Sequence, residues 1–181
     1  DALPISITIT EPPLLTSAIG SSVNLTCYQN NSGSASVNLA GGFGAYTYSW
    51  LPAGGNGATA SNLAAGTYTI VVADANGCIT ATSTVLTEPA AITSAIDAST
   101  NVSCFSGNDG MASVLAGGGS SPYAYSWSSG GTNSIENSLT AGTYTVTVTD
   151  NNGCSTTTDV TITEPSQVTA AISASTDASC N

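Results

Sequence analysis

No lysine, arginine or histidine occurs anywhere in these 181 residues. The 11 Asp and Glu side chains therefore carry all the formal side-chain charge, a net −11 at neutral pH. With no cation in the chain, internal salt bridges between side chains are excluded. So are nucleic-acid binding, which needs cationic groups to displace phosphate counterions, and a basic membrane-surface patch. Missing histidine removes Ser-His and Cys-His nucleophile pairs and every imidazole metal ligand. Missing lysine removes Schiff-base chemistry and Lys–Asn isopeptide crosslinks, and without Lys or Arg trypsin has no cleavage site even in the unfolded chain. No apolar run reaches the 18 or more residues of a membrane-spanning helix. No export-signal pattern is visible either, so targeting signals are expected outside this segment.

What is present is repetition. Glu11-Pro12, Glu88-Pro89 and Glu164-Pro165 stand 77 and 76 residues apart. Cys27, Cys104 and Cys180 keep that spacing, and Trp50 and Trp127 are 77 apart. A period of this kind makes each repeat one structural unit. The register assigns residues 13–89 and 90–165 to two repeats, residues 1–12 to the last strand of a preceding one and 166–181 to the opening of a following one. Proline fixes its own φ and pushes the residue before it toward extended geometry, so the junctions, with no Gly/Ser linker, are expected to be short and stiff. Cys and Trp keep a spacing of 77 while Gly66 and Gly142 are 76 apart, which locates a one-residue deletion between Trp50 and Gly66. That stretch is rich in Gly, Asn and Ser, where loops tolerate length changes.

Within each unit, turn-forming residues recur every 8–12 positions between short runs rich in Thr, Val, Ile and Tyr, an all-β pattern. Thr143 to Thr149 alternates, with Tyr144, Val146 and Val148 on one face and Thr on the other. Asp150-Asn151-Asn152-Gly153 then turns the chain and Ser155 to Thr163 reads as the return strand; Asp74 to Gly77 repeats the device. Ala35, Val37 and Leu39 alternate likewise. Tyr46-Thr47-Tyr48-Ser49-Trp50 and Tyr123 to Trp127 place aromatics at every second position, with Trp50 and Trp127 expected in the core. Tyr68 and Tyr144, each following Ala-Gly-Thr, match a tyrosine corner. The expected fold is an immunoglobulin-like β-sandwich of seven-strand type, repeated as beads on a string.

Cysteines at 27, 78, 104, 154 and 180 give spacings of 51, 26, 50 and 26. Two per unit at repeating positions indicate a disulfide framework in an oxidising compartment. Bridges within units, Cys27–Cys78 and Cys104–Cys154, let each unit fold alone and are the favoured pairing. Bridges across a junction, Cys78–Cys104 and Cys154–Cys180, fit the period as well. Zinc is not indicated, because there is no C-x-x-C pair and no His.

The ordered run Cys104-Phe105-Ser106-Gly107-Asn108-Asp109-Gly110, then Pro122 to Trp127, Leu139 to Val146, Thr149 to Cys154 and Thr161-Ile162-Thr163-Glu164-Pro165 resembles the SprB repeat. The first unit departs from it at Asn31-Ser32-Gly33, which stands for Asn-Asp-Gly, and at Ala45, which stands for Pro. The resemblance implies an exported, cell-surface array on a Bacteroidota-type bacterium: a filament or adhesin stalk, secreted by the type 9 system and serving adhesion or gliding motility. It brings no catalytic residue, and its partners would be neighbouring repeats, other filament chains or surface polysaccharide.

Two further chemistries compete with bland readings. Asp74, Asp150, Glu88 and Glu164 are candidate calcium ligands, against an Asp that simply initiates a turn by bonding its own backbone. No other cofactor is expected. A carbohydrate-binding module acting through exposed loops is the alternative to a structural stalk; glycan-array binding by an isolated repeat pair would discriminate the two. Sequons at Asn24, Asn30 and Asn101 mark potential glycan sites. The acids fall mainly at turns and junctions instead of converging in pairs, which gives no support to hydrolytic catalysis.

Overall fold

The computed structural model describes residue 7 and residues 10–175, and every regular element among them is a β-strand. Of the preceding strand expected at 1–12, residue 7 and residues 10–12 are described and carry no strand; the others, and Cys180, lie outside the described residues. The chain divides into two units, Asp1–Ala91 and Ile92–Asn181. The first holds β1 (Thr16–Val23), β2 (Gly33–Ala40), β3 (Thr47–Leu51), β4 (Thr59–Leu63), β5 (Gly66–Ala73) and β6 (Ile79–Leu86). The second repeats them as β7 (Thr93–Thr100), β8 (Gly110–Gly117), β9 (Ala124–Trp127), β10 (Ile135–Leu139), β11 (Gly142–Thr149) and β12 (Ser155–Ile162).

Each unit is a sandwich of two antiparallel three-stranded sheets. In the first the orders are β1-β2-β4 and β3-β5-β6; in the second, β7-β8-β10 and β9-β11-β12. Alternation decides which side chains meet between them. Ala35, Val37 and Ala60 of one sheet pack with Trp50, Ile70 and Val72 of the other. Ala112, Val114, Trp127, Val146 and Val148 do the same in the second unit. Both cores draw their buried residues from within their own unit.

Six strands per unit replace the expected seven. The missing strand would lie in the connection Pro52–Ala58 or its counterpart at 128–134, which are short, dominated by Gly, Ser and Asn, and hold a single β-branched residue, Thr132, between them. The same connection absorbs the length change. Trp50 N donates to Gly55 O five residues on, whereas Trp127 N donates to Gly131 O four residues on, so the deletion lies between Trp50 and Gly55. The indole tolerates it: Trp50 Nε1 donates to Gly57 O at 2.9 Å and Trp127 Nε1 to Asn133 O at 2.8 Å.

The strand register defines two poles in each unit. At one lies the β5–β6 hairpin with the loop after β2; at the other lies the β1–β2 loop, against the residues that follow β6. The chain enters at the hairpin pole, where Gly42 N donates to Pro13 O, and leaves at the loop pole, where Leu25 N donates to Thr87 O. In the second unit, Thr93 pairs with Gly117 at the hairpin pole and Val102 N donates to Thr163 O at the loop pole.

Candidate functional site

The acids of this chain have no cation to meet, and the structure shows what they hold instead. At the hairpin pole the Asp74 carboxylate is buried and takes three backbone N–H groups. Oδ1 accepts from Asn76 N and Cys78 N, both at 2.9 Å, and Oδ2 accepts from Phe43 N at 3.0 Å. Asp150 repeats the arrangement with Asn152 N and Cys154 N at 2.9 Å, and with Ser120 N at 2.9 Å. Burial by itself raises both carboxyl pKa values. The backbone N–H groups of Cys78, Phe43 and Asn76, and those of Ser120, Cys154, Asn152 and Gly153, outweigh it and hold both below the ordinary aspartate range. Asn-Gly closes the turn because Gly77 and Gly153 sit at φ +82° and +83°, in the left-handed region that favours glycine. Each Asp therefore ties the hairpin to the loop after the second strand of its unit.

At the loop pole the junction glutamates do comparable work. Glu88 Oε2 accepts from Gln29 N at 2.6 Å and Glu164 Oε2 from Ser106 N at 2.7 Å. The two donors have left-handed backbone, φ 54° and 57°, which costs a non-glycine residue free energy that the carboxylate bond offsets. Asn24 Oδ1 and Asn101 Oδ1 accept from Thr87 N and Thr163 N at 3.0 and 2.9 Å. Asn30 Oδ1 accepts from Ser32 N at 3.3 Å, so all three sequon asparagines have their amide oxygens tied to backbone at this pole. Asp109 Oδ1 accepts from Ser103 N at 3.0 Å; the Ser103 side chain and backbone, in that order, lower its pKa. The first unit has Ser32 there, and its Oγ accepts from Thr26 N at 2.8 Å. That explains how Asn-Ser-Gly replaces Asn-Asp-Gly without loss of the loop.

The aromatic residues singled out by spacing close the sandwich. Trp50 and Trp127 are buried. Tyr68 Oη donates to Ala64 O at 3.2 Å and Tyr144 Oη to Thr140 O at 3.1 Å, each four residues upstream. Tyr46 Oη donates to Gly41 O at 2.7 Å, a second phenol bond that the alternating pattern alone did not reveal.

The calcium candidates do not converge within a unit: Asp74 lies at one pole and Glu88 at the other, and Asp150 and Glu164 are separated likewise. Among the described residues, no group of three or more Asp, Glu, Cys or His side chains is placed to hold a metal ion.

The favoured disulfide pairing is overturned. Cys78 and Cys104 are free and exposed, so neither Cys27–Cys78 nor Cys104–Cys154 forms, nor does Cys78–Cys104. Cys27 and Cys154 are disulfide-bonded. The reason is geometric. Cys27 lies in the β1–β2 loop at one pole and Cys78 in the hairpin at the other, with the eight residues of β6 between the poles. At about 3.3 Å rise per residue that is roughly 26 Å, whereas a disulfide needs Cα atoms within about 7 Å. Cys104 and Cys154 stand apart in the same way across β12. Spacing along the chain reported the repeat of the cysteines but not the pole each one occupies.

Two six-stranded sandwiches, each with its first, second and fourth strands in one antiparallel sheet and its third, fifth and sixth in the other, define this chain as tandem immunoglobulin- or fibronectin-like β-modules. The family model for the SprB repeat matches residues 19–55 and 96–132, one match in each unit. The two matches fall at corresponding positions of the two units. No curated protein sequence matches it. Among solved structures it is similar to the fibronectin(III)-like modules of Clostridium thermocellum CbhA, with 14% identity, 82% of this chain and 93% of that one covered, and a TM-score of 0.37. It is similar to an amphioxus IgVJ-C2 molecule at 18% identity, 82% and 99% coverage, and a TM-score of 0.31. Domains 4–9 of the surface layer protein SbsC align with 89% of this chain and 32% of that one, at 17% identity and a TM-score of 0.30. At such scores the fold assignment stands on strand order alone.

Proposed function

We propose that this chain is a structural segment of a long extracellular filament or adhesin stalk on a bacterial surface, serving adhesion, gliding motility or both. The observation that supports it most directly is that both units have their own closed core, with the chain entering at one pole and leaving at the other. A unit threaded pole to pole adds length when repeated. Residues 13–89 and 90–165 are the proposed repeats, with 1–12 and 166–181 belonging to neighbouring ones. The role is mechanical and not catalytic: Asp74, Asp109, Asp150, Glu88 and Glu164 are each engaged by backbone N–H groups. No helix among the described residues is long and apolar enough to cross a membrane. Export through the type 9 system fits the family.

The test is made on the cells that produce the protein. An antibody against the repeats should label intact cells, and broad-specificity protease shaving should remove the label. In-frame deletion of the repeat region should reduce attachment to surfaces or spreading over them. Absence of label from intact cells would refute the surface assignment, and unchanged attachment and spreading after deletion would refute the adhesive and motile roles.

A further inference from the structure

Asparagine followed by glycine occurs at 56–57, 76–77 and 152–153, and all three asparagines are exposed. Such a pair can react with itself in water: the glycine nitrogen attacks the side-chain carbonyl carbon of the asparagine, unhindered because glycine has no Cβ. The fold treats the three pairs differently. In the two hairpins the attacking nitrogens are engaged: Gly77 N donates to Asp74 O at 3.0 Å and Gly153 N to Asp150 O at 3.1 Å. The same aspartates hold the asparagines, whose backbone N–H groups donate to Asp74 Oδ1 and Asp150 Oδ1. Asn56 and Gly57 lie in the connection between β3 and β4. There, among the described residues, no hydrogen bond engages Gly57 N or the Asn56 side chain. Both neighbours of Asn56 are nevertheless held by one buried residue. Trp50 N donates to Gly55 O at 3.1 Å, and Trp50 Nε1 donates to Gly57 O at 2.9 Å. The second unit keeps this bracket, with Trp127 bonded to Gly131 O and Asn133 O, but places Thr132 inside it.

We propose that Asn56 is a site of spontaneous covalent modification, where the folded first unit converts asparagine to isoaspartate and aspartate. Gly57 N loses its proton to solvent and bonds to Asn56 Cγ; the Cγ–Nδ2 bond breaks and Nδ2 leaves as ammonia. Water then opens the cyclic imide at either carbonyl. The net change is amide plus water to acid plus ammonia, with no oxidant or reductant. Opening at one carbonyl gives aspartate; opening at the other gives isoaspartate, whose backbone runs through the former side chain. That form inserts one methylene between Asn56 Cα and Gly57 N, inside the interval that Trp50 spans with its backbone and indole N–H groups. The two Trp50 bonds cannot both keep their geometry over a longer backbone. The buried indole thereby loses the partner that its burial requires. Thr132 has no side-chain amide, so the equivalent bracket of the second unit is exempt. The hairpin pairs are slowed by the same aspartates that hold their turns. The inference is independent of where the chain is displayed: it needs only water, time and the fold of one unit.

The experiment incubates the full chain at mildly alkaline pH, folded and, in parallel, in denaturant. Chymotryptic peptides carrying each Asn-Gly pair are then followed by mass spectrometry, and isoaspartate is identified by labelling with isoaspartyl methyltransferase. In the folded chain Asn56 should convert at least about fivefold faster than Asn76 or Asn152, the factor that corresponds to one net hydrogen bond on the attacking nitrogen. In denaturant the three rates should converge. Conversion of Asn56 no faster than that of the hairpin pairs in the folded chain would overturn the proposal. So would an unchanged ranking in denaturant, because sequence and not fold would then set the rates. Calorimetry of the aged chain should show the transition of the first repeat lowered and that of the second in place. Asn56→Ser should hold both transitions in place through the same incubation; a first transition that still falls in this variant would also overturn the proposal.

Discussion

Ile70 is fully buried at the centre of the first core, on β5 opposite Trp50 of β3. Its equivalent in the second core is Val146, also fully buried and opposite Trp127. Truncating Ile70 to alanine removes three carbons from a fully buried site in the core between the two sheets. Substitutions of this kind cost about 2–5 kcal/mol, and a value near the middle, about 3 kcal/mol, is expected here. For a domain of this size each kcal/mol moves the melting temperature by about 4–8 °C, so Ile70→Ala should lower the transition of the first repeat by roughly 12–24 °C. The transition of the second should stay in place, because the first core contains only residues of the first unit. Differential scanning calorimetry in the presence of reductant, with Ile70→Ala and Val146→Ala measured side by side, assigns each transition by which variant moves it. A loss below about 1 kcal/mol would refute the packing at this position. Equal displacement of both transitions would refute two separate cores.

Charge on Asp74 gives a second expectation. Its pKa is lowered in the folded state, so its contribution is complete above the unfolded pKa and is lost as pH falls through the folded one. Asp74→Asn should be less stable than the parent at pH 7, with the gap closing below about pH 4, near the ordinary aspartate value; comparing denaturant midpoints across pH cancels the background repulsion of the other acids. A gap constant with pH would mean that charge is not what the three N–H groups recognise. Glycine substitutions separate backbone strain from collision. At Gly77, φ is +82° and an added Cβ meets nothing within 4 Å, so Gly77→Ala should cost only the left-handed strain, about 1–2 kcal/mol. At Gly41, φ is +71° and the Cβ would lie 1.9 Å from Leu14 O, so Gly41→Ala should lower the denaturant midpoint well beyond that; equal losses would contradict the close approach of the entering chain.

Much of this protein was determined by the sequence itself, because local physics acts over a few residues. Alternation in Thr143 to Thr149 places Val146 and Val148 inside whatever they face, and Asp-x-Asn-Gly turns the chain wherever it occurs. The period of 76 or 77 residues, the deletion after Trp50 and the tyrosine corner at Tyr68 are legible for the same reason: each is a matter of short spacing. Tertiary structure decided what depends on direction. Which pole a residue occupies follows from counting strand reversals, and the count was off where a Gly/Asn connection formed no strand. Cys27 and Cys78 look like partners because they share a repeat, yet a strand's length separates them. Glu88 looks like a junction residue with a free carboxylate, yet it reaches 59 positions back to hold Gln29. The total absence of cations could be read at once; that backbone N–H groups take their place at both poles could be seen only after the chain had folded.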